Sequence, residues 1–400
     1  MSSIKLVLND LHLADGSTAL DCFGKRQQAA FEGLLRAACS GSPLAEASEV
    51  ELIINGDCFD FLGIEPYDLG GVIDAQTAVS KLGKIIIAHA PFFTALRQFL
   101  ETPGRSVAFL VGNHDMELCF AEVRQRLLEA ISPSASETVY FCPTRFYRPL
   151  PDVYIEHGNH YDFWNHRQDG LWDEQGQPLT RNPETITLPL GSHYMQHAAH
   201  PLSAAYPYFD HFEPSMNTTR QIALLSLLAP DIVIKTTQLT MELLSEPRPA
   251  LANLAPDGEH IPSKLFEQAM MDFAAFQMDM TSRKTDWTEP EEQDVSRNMN
   301  DIILEFAMMR EALTLPEQEA VAAICTPTTY QMGESVATGM HQVLKNDPSL
   351  RYAIAGHTHM ARIETANNRT QTYLNTASWT MRIALPAPGE VTPELVAWLK

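Results

Sequence analysis

The sequence predicts a layered α/β fold that is interrupted by a large helical segment. Three observations carry this prediction. Short apolar runs alternate with amphipathic stretches over the first 165 residues, the pattern turns helical from about residue 166 to 345, and strand-like runs return near the end. With 400 residues, the chain is long enough for two or three domains.

The first part of the chain contains four apolar runs that are typical of buried strands and three amphipathic stretches that are typical of helices. The predicted strands are 4–8, 50–54, 106–111 and 153–155. The predicted helices are 27–39, 75–100 and 117–131. This alternation indicates a layered arrangement of helices on a sheet.

The middle of the chain consists of helix-like segments separated by proline-rich loops, which predicts a helical insertion or cap. Strand-like runs return at 352–355, 362–366, 370–374 and 395–399, and Asn367 with Asn368 offers a hairpin turn. We therefore expect residues 1–165 and 346–400 to form one core domain and residues 166–345 to form the insertion.

The charge of the chain limits its partners. It has 28 Lys and Arg residues against 50 Asp and Glu residues, which gives a net charge of −22. Such a charge repels nucleic-acid backbones and anionic bilayers, so nucleic acid is not an expected partner. A small molecule is the expected partner, and the sequence leaves the oligomeric state open.

The cysteines and the apolar runs indicate a cytoplasmic protein. Six cysteines are scattered without a Cys-x-x-Cys pair, which predicts free thiols in a reducing compartment and excludes a zinc ribbon. The longest apolar stretch, 222–234, is interrupted by polar residues and is shorter than the roughly 20 residues that span a bilayer. No transmembrane segment is expected.

Five short motifs stand at the ends of predicted strands, where ligands bind in α/β sheets. Within two of them, Asp10 with His12 and His357 with His359, the spacing puts both side chains on one side of an extended segment. Each motif alone is a weak signal, whereas five in series predict one metal site that is assembled from several loops. In chain order the motifs are Asn9-Asp10-Leu11-His12, Gly56-Asp57-Cys58-Phe59-Asp60, Gly112-Asn113-His114-Asp115, Glu156-His157-Gly158-Asn159-His160 and Gly356-His357-Thr358-His359.

The side chains in these motifs offer carboxylate, imidazole and amide ligands without a thiolate. This set suits manganese, iron or zinc ions better than a structural zinc site of the cysteine type. Seven candidate ligands are too many for one four-coordinate ion, which argues for two ions that share a bridging carboxylate. The candidates are Asp10, His12, Asp57, Asn113, His157, His357 and His359.

The motif series resembles the calcineurin-like metallophosphoesterase superfamily, and the match covers about residues 4–165 and 350–380. The resemblance implies an α/β (α+β) fold in which a sandwich of two mixed β-sheets is flanked by helices, with two metal ions at the strand ends. The implied ligands are Asp10, His12 and His359 for the first ion, Asn113, His157 and His357 for the second, and Asp57 for both.

The resemblance also implies a reaction, the hydrolysis of a phosphomonoester or phosphodiester by in-line attack of a metal-bound hydroxide. His114 would be the general acid, with Asp115 orienting or charging its imidazole. Asp60 would accept a hydrogen bond from a ligand histidine. Asp115 and Asp60 also fit a second interpretation, as carboxylates that cap a loop or a helix. His160 and Asp162 could supply contacts to the substrate or hydrogen bonds to the ligands.

Two alternatives to this function stay open. The Gly-Asp-x-x-Asp-Phe pattern at 56–61 is shared with the UDP-2,3-diacylglucosamine pyrophosphohydrolase family of lipid A synthesis. This chain, however, has His114 where that family has Arg, and a longer insertion. A histidine can donate a proton to a poor leaving group, which favours an ester with an alkoxide leaving group. A non-catalytic metal-binding scaffold is the second alternative.

Overall fold

In a computed structural model of the chain, two compact units are seen. Met1–Gln196 with Gly333–Met381 forms unit 1, and His197–Met332 with Arg382–Lys400 forms unit 2. Compared with the predicted boundaries, 166–196 and 333–345 of the predicted insertion belong to unit 1, and 382–400 of the predicted core belong to unit 2. The structure describes residues 2–17, 20–67, 72–131, 138–162, 165, 171–173, 175–180, 182–189, 191–192, 195–205, 211–213, 218–231, 233, 267, 270–271, 304–326, 334–366, 369–380, 383–384 and 388–399.

Unit 1 contains a four-stranded sheet, sheet 1, in which all neighbouring strands are parallel. In spatial order the strands are β1 (Ser3–Leu8), β2 (Glu49–Asn55), β4 (Arg105–Leu110) and β5 (Val139–Phe141). One of the two inner strands, β2, is almost wholly buried, as expected for a parallel strand with both faces covered.

A second sheet of five strands, sheet 2, combines distant parts of the chain. Its three inner strands are parallel to one another, and each edge strand is antiparallel to its neighbour. In spatial order the strands are β11 (Ala361–Ala366), β12 (Gln371–Thr376), β10 (Tyr352–Ala355), β7 (Val153–Glu156) and β6 (Phe146–Leu150).

The two sheets share one apolar cluster, which includes Ile53 of β2 and Ile155 of β7. Leu52 and Ile54 belong to a different cluster on the opposite face of sheet 1, because successive side chains of a strand alternate between its faces. Helices cover that face of sheet 1, and another helix covers the outer face of sheet 2. The α/β class is therefore confirmed.

The helices that cover sheet 1 are α1 (Lys25–Cys39), α2 (Ala75–Ala88), α3 (Ala90–Glu101) and α4 (Ala121–Ile131). The prediction of one helix over 75–100 is wrong, since α2 and α3 meet at His89 with a bend of 87°. Pro91 lies in the first turn of α3, where a missing backbone N–H costs nothing. A 3₁₀ turn, Met116–Cys119, precedes α4.

The remaining elements include several that the sequence did not indicate. β3 (Val72–Asp74) pairs with β8 (Thr185–Thr187) in a small antiparallel ladder. Unit 2 contains β9 (Phe212–Glu213), which pairs with β13 (Ile383–Ala384). The helices that follow α4 are α5 (His200–Ala205), α6 (Thr218–Leu228), α7 (Glu317–Ile324), α8 (Glu334–Asn346), which covers sheet 2, and α9 (Pro393–Leu399).

The predicted strand at 395–399 is wrong, because these residues belong to α9. Val396 and Leu399 are its buried residues, and their spacing of three follows the period of a helix. The predicted turn at Asn367 and Asn368 lies outside the described residues. Among the described residues, no one helix combines the length and the apolar composition needed to cross a membrane, although α2 and α3 together pass by these two criteria alone.

Candidate metal centre

The candidate ligands lie in loops that directly follow five parallel strands, three from sheet 1 and two from sheet 2. Parallel strands present their carboxyl ends at one edge of a sheet, so the loops after β1, β2 and β4 converge there. The loops after β7 and β10 converge in the same way at the edge of sheet 2. Five of the seven candidate ligands are buried, and only His357 and His359 are partly exposed.

The first group of side chains consists of Asp10, His12 and His359, whose ligand atoms lie within 4.8 Å of one another. Asp10 Oδ1 is 3.2 Å from His359 Nε2 and 3.8 Å from His12 Nε2. The two histidine Nε2 atoms are 3.0 Å apart. One carboxylate oxygen and two imidazole nitrogens therefore converge on one point.

The second group consists of Asp57, His157 and His357. His157 Nε2 lies 3.1 Å from Asp57 Oδ2, and the rings of the two histidines pack edge to face with their centroids 5.4 Å apart. Asp57 Oδ2 is also 3.8 Å from His12 Nε2 of the first group. Asp57 therefore stands between the two groups.

Three buried ligand atoms, Asp10 Oδ1, Asn113 Oδ1 and His157 Nε2, make no hydrogen bond of normal geometry within the described part of the chain. Asp10 Oδ1 and His157 Nε2 lie at ion-pair distance from His359 and Asp57, whereas no partner is found there for Asn113 Oδ1. Leaving a buried polar atom unpaired costs about 1–3 kcal/mol, so an unpaired cluster needs an explanation. Cations that take these atoms as ligands supply one. The oxygen and nitrogen donors suit manganese, iron or zinc, and the residues thus fit the metal ions that the motifs imply.

The local electrostatics also favour cations. Burial alone would lower the pKa of the His157 imidazole, but the carboxylates of Asp57 and Asp10 raise it to about 10. Burial would raise the pKa of Asp57, but the surrounding histidines, first among them His157, hold it well below its ordinary value. The buried carboxylates thus favour positive charge at this place, which protons on the imidazoles supply in the metal-free chain and a bound cation would supply in their stead.

Backbone strain is concentrated at the candidate ligands. Seven residues other than glycine have a positive φ among the described residues, and five of them belong to the ligand set. A left-handed conformation is costly for a residue with a Cβ and occurs mainly where function requires it. The five are Asp10 (φ 51°), His12 (51°), Asp57 (50°), His357 (64°) and His359 (59°).

The motif glycines make room for ligands that come from other loops. A Cβ on Gly56 would lie 2.5 Å from His157 Nδ1, and a Cβ on Gly112 would lie 2.1 Å from Asp57 Oδ1. A Cβ on Gly356 would lie 2.6 Å from Asp10 Oδ2. Each glycine thus allows one loop to approach the ligand of another closely.

His114 lies beside the centre, but its imidazole has a different partner from the one expected. Its Nδ1 is 3.0 Å from Asp60 Oδ1, and its backbone N–H donates to Asp57 Oδ1. The carboxylate of Asp115 instead accepts hydrogen bonds from the backbone N–H groups of Cys58 and Gly112. The expected contact between Asp115 and the imidazole is therefore replaced by one from Asp60, since the Asp115 oxygens tie two loops together.

The charges around His114 follow from these contacts. Burial alone would lower the pKa of its imidazole, but the carboxylates of Asp60 and Asp57 raise it to about 9. Burial and the Asp57 carboxylate raise the pKa of Asp115 to about 7. His12, Asp60 and His114 also form a third group whose ligand atoms lie within 4.8 Å of one another.

His160 and Asp162, which could contact substrate or hydrogen-bond to a ligand, have different surroundings. The ring of His160 packs against Tyr161 with centroids 5.3 Å apart, and His160 belongs to none of the three groups found among the described residues. Asp162 Oδ2 lies 3.0 Å from His357 Nε2. Asp162 therefore contacts a candidate ligand.

Sequence reasoning missed two groups that hold the site. The backbone carbonyl of Asn55 lies 2.9 Å from His157 Nδ1 and leaves the other ring nitrogen facing the centre. A backbone carbonyl carries no sequence signal. Asn165 donates from Nδ2 to Asp162 Oδ2 at 2.7 Å. The sequence signal for this contact is that Asn165 stands three residues after Asp162.

The fold and the site together define an α/β protein with buried His/Asp groups that are compatible with metal binding. No protein-family model matches the chain, and no curated protein matches it. Among the solved structures that it resembles is the phosphopantetheinyl hydrolase PptH from Mycobacterium tuberculosis, with 12% sequence identity over 97% of this chain and 91% of that chain. The TM-score is 0.26, at which the similarity bears on neither the fold nor the function.

Proposed function

We propose that this protein is a metal-dependent phosphoesterase with two metal ions, which hydrolyses a phosphomonoester or a phosphodiester. One observation carries the proposal: two adjoining His/Asp groups meet at Asp57, at the ends of strands from both sheets. Two neighbouring ions with a shared carboxylate are a common arrangement for stabilising the attacking and the leaving oxygen when a phosphoryl group is displaced.

The proposed ligands follow the two groups, and the metals are manganese, iron or zinc. When bound, such ions supply Lewis-acid chemistry, in which they lower the pKa of a coordinated water and polarise the phosphoryl oxygens. Asn113 is assigned to the second ion, because its Oδ1 is buried and unpaired in the described chain and the backbone N–H of the next residue, His114, donates to Asp57. The proposed ligands are Asp10, His12 and His359 for the first ion, Asn113, His157 and His357 for the second, and Asp57 for both.

His114 is the proposed general acid. Its Nδ1 is held by Asp60, which leaves Nε2 to donate a proton to the oxygen of the leaving group. Its backbone N–H donates to Asp57, which fixes the imidazole next to the proposed bridge. Asp60 is therefore assigned to orienting the acid, and Asp115 to holding the loops that carry Cys58 and Gly112.

The experiment that tests this function measures metal content and hydrolysis on the same preparation. The purified protein is stripped of metal, reloaded with Mn²⁺, and assayed on p-nitrophenyl phosphate and bis-p-nitrophenyl phosphate. We expect two ions per chain and hydrolysis that depends on them. A protein that binds no metal and cleaves neither ester contradicts the proposal, and one that binds metal without hydrolysis is a scaffold instead of an enzyme.

The choice of substrate is tested next, because the metals bind phosphoryl oxygens while loops decide specificity. A panel of mononucleotides, cyclic nucleotides, dinucleoside polyphosphates, nucleotide sugars and phosphopeptides covers the classes that the centre could accept. We expect esters with an alkoxide leaving group to be cleaved fastest, because His114 can protonate them. A preference for pyrophosphate bonds would contradict that expectation.

A further inference from the structure

The side chain of Asp162 contacts a proposed ligand from a different loop. Its Oδ2 lies 3.0 Å from Nε2 of His357, at a site where the Asp162 side chain is 23% exposed and that of His357 is 12% exposed. An imidazole has two nitrogens, and the carboxylate occupies one of them. Nδ1 is then the nitrogen that His357 can offer to the group that it shares with Asp57 and His157.

Asp162 is itself held in place by its own loop. Its backbone N–H donates to the carbonyl of Asn159 at 3.0 Å. The side-chain amide of Asn165 donates to Asp162 Oδ2 at 2.7 Å, and the side-chain amide of Asn159 donates to the carbonyl of Asn165 at 3.1 Å. A carboxylate with these bonds has little rotational freedom left, so it can fix the ring that it contacts.

The path of the chain places Asp162 beside the second group. Gly158 has a φ of 108°, which reverses the chain directly after His157. A 3₁₀ turn, Asn159–Tyr161, follows and ends at Asp162. One loop therefore carries both His157, a proposed ligand of the second ion, and Asp162, which contacts His357. The rings of His157 and His357 pack against each other.

We propose that Asp162 is a positioning residue for the second ion site. Its carboxylate accepts the hydrogen bond from Nε2–H of His357, fixes the neutral imidazole in that tautomer, and directs the lone pair of Nδ1 at the ion. This inference rests on the proposed function, because it concerns the second of the two ions. Of the two roles that the sequence left open for Asp162, contact with substrate and a hydrogen bond to a ligand, this inference takes the second.

The expected effect is on metal affinity. A carboxylate that accepts a hydrogen bond from a ligand histidine makes that ligand more basic, and its loss typically lowers metal affinity by about 10- to 100-fold. The ligand that Asp162 contacts belongs to the second group, so the second ion should be affected and the first should not. A residue that contacts only substrate would leave both metal affinities unchanged.

The test compares Asp162→Asn and Asp162→Ala with the unaltered chain and with a matched control, Glu364→Gln. Glu364 makes the same kind of contact, with its Oε2 2.6 Å from Nε2 of His341, but His341 is not a proposed ligand. Binding of Mn²⁺ to the metal-free full chain is measured by titration calorimetry and by electron paramagnetic resonance, which distinguishes one bound manganese from a coupled pair. We expect both Asp162 variants to bind the second ion about 10- to 100-fold more weakly, with the first ion and the control unchanged.

A second measurement needs no variant. In the zinc-loaded protein, ¹⁵N nuclear magnetic resonance of histidine shows which ring nitrogen of His357 carries the proton and which binds the ion. We expect a protonated Nε2 and a zinc-bound Nδ1.

The outcomes separate the two proposals. If the unaltered chain fails to bind two ions, the proposed function fails and this inference fails with it. If the unaltered chain binds two ions and both Asp162 variants bind them equally well, the inference alone is overturned. Zinc bound to Nε2 of His357 overturns it as well, because the proposed hydrogen bond could not then form.

Discussion

The carboxylate of Asp57 contacts three loops of the candidate centre. Its Oδ1 accepts a hydrogen bond from the backbone of His114 at 2.8 Å, while its Oδ2 lies 3.1 Å from His157 Nε2 and 3.8 Å from His12 Nε2. Oδ1 thus holds the loop of His114, and Oδ2 faces the proposed ions. This division makes a test possible in which the hydrogen bond is kept and the charge is removed.

We predict that Asp57→Asn lowers metal occupancy and hydrolysis together. An amide oxygen can still accept the hydrogen bond from His114, but the bridging charge is gone. The loss should exceed the about 10- to 100-fold that removal of a residue orienting a ligand costs. Metal analysis by mass spectrometry gives the ions per chain, and Asp347→Asn, at a partly exposed carboxylate that pairs with Arg148 and is not a proposed ligand, is the control. Full metal content in the variant would refute the bridging role.

We predict that His114→Ala retains its metal and loses turnover, whereas Asp57→Asn loses both. Loss of a general acid typically costs about 10²- to 10⁴-fold, but only where the leaving group needs a proton. The variant should therefore cleave p-nitrophenyl phosphate at a nearly normal rate and an alkyl phosphate slowly. The ratio of kcat/KM for the two esters is the measurement. Equal losses on both would argue against proton donation by His114.

At the scale of elements, the loops of the centre are interlocked by glycines. Gly112 follows β4 and leaves space for Asp57 after β2, while Gly56 after β2 leaves space for His157 after β7. Gly356 after β10 leaves space for Asp10 after β1. A substitution in one loop therefore displaces a ligand that belongs to another loop, and its effect on the metal should appear without any loss of a ligand.

We predict that Gly112→Ala impairs metal binding although residue 112 is not a ligand, because its Cβ would lie 2.1 Å from Asp57 Oδ1. The matched control is Gly33→Ala in the exposed part of α1, where no atom lies within 4 Å of the new Cβ. That control should stabilise the protein by about 0.5–1 kcal/mol, since alanine favours a helix over glycine. Urea unfolding and metal analysis measure both effects. Normal metal content in Gly112→Ala would contradict the steric argument.

The elements also show which parts of this fold can be predicted from sequence. Strands β1, β2, β4, β7 and β10 were predicted because they are apolar runs with polar residues at their ends. β6, with its Arg148 and Pro149, lies at a sheet edge and has no such pattern. The apolar run of 395–399 suits a strand as well as a helix, and Pro393 in the first turn decided for the helix.

The site, like the fold, could be predicted only in part from the sequence. The side chains that converge could be predicted, because their types and their places after strands are visible in the sequence. The partner of His114 could not, because the sequence offers both Asp60 and Asp115 and only the fold of the loops decides between them. Left-handed backbone at the five ligands could not be predicted from residue type, because Asp and His adopt it more often than most residues but still rarely.

At the scale of the whole molecule, metal binding should contribute to stability. The proposed ligands come from both sheets, so ions would join strands that are far apart in the chain, and a ligand that binds only the folded state stabilises it. At a metal concentration of 100 times Kd the gain is about 2.7 kcal/mol. We therefore predict that a chelator lowers the melting temperature of the protein.

The melting temperature is measured by scanning calorimetry with Mn²⁺ and with a chelator. For a unit of this size, each kcal/mol corresponds to about 2–4 °C, so a shift of several degrees is expected. Asp57→Asn should show a much smaller shift, because it lacks the bridging carboxylate. An equal shift in the variant and the unaltered protein would place the stabilising ion elsewhere.

The order of strands in sheet 2 has a consequence for a chain that is still being synthesised. β7 pairs directly with β10, and about two hundred residues separate them along the sequence. A ribosome that has released residue 157 has supplied five of the seven proposed donors, while His357 and His359 are still to be translated. A nascent chain of that length can hold neither ion with its full set of donors, so the metals should be acquired only after the chain through His359 has left the ribosome.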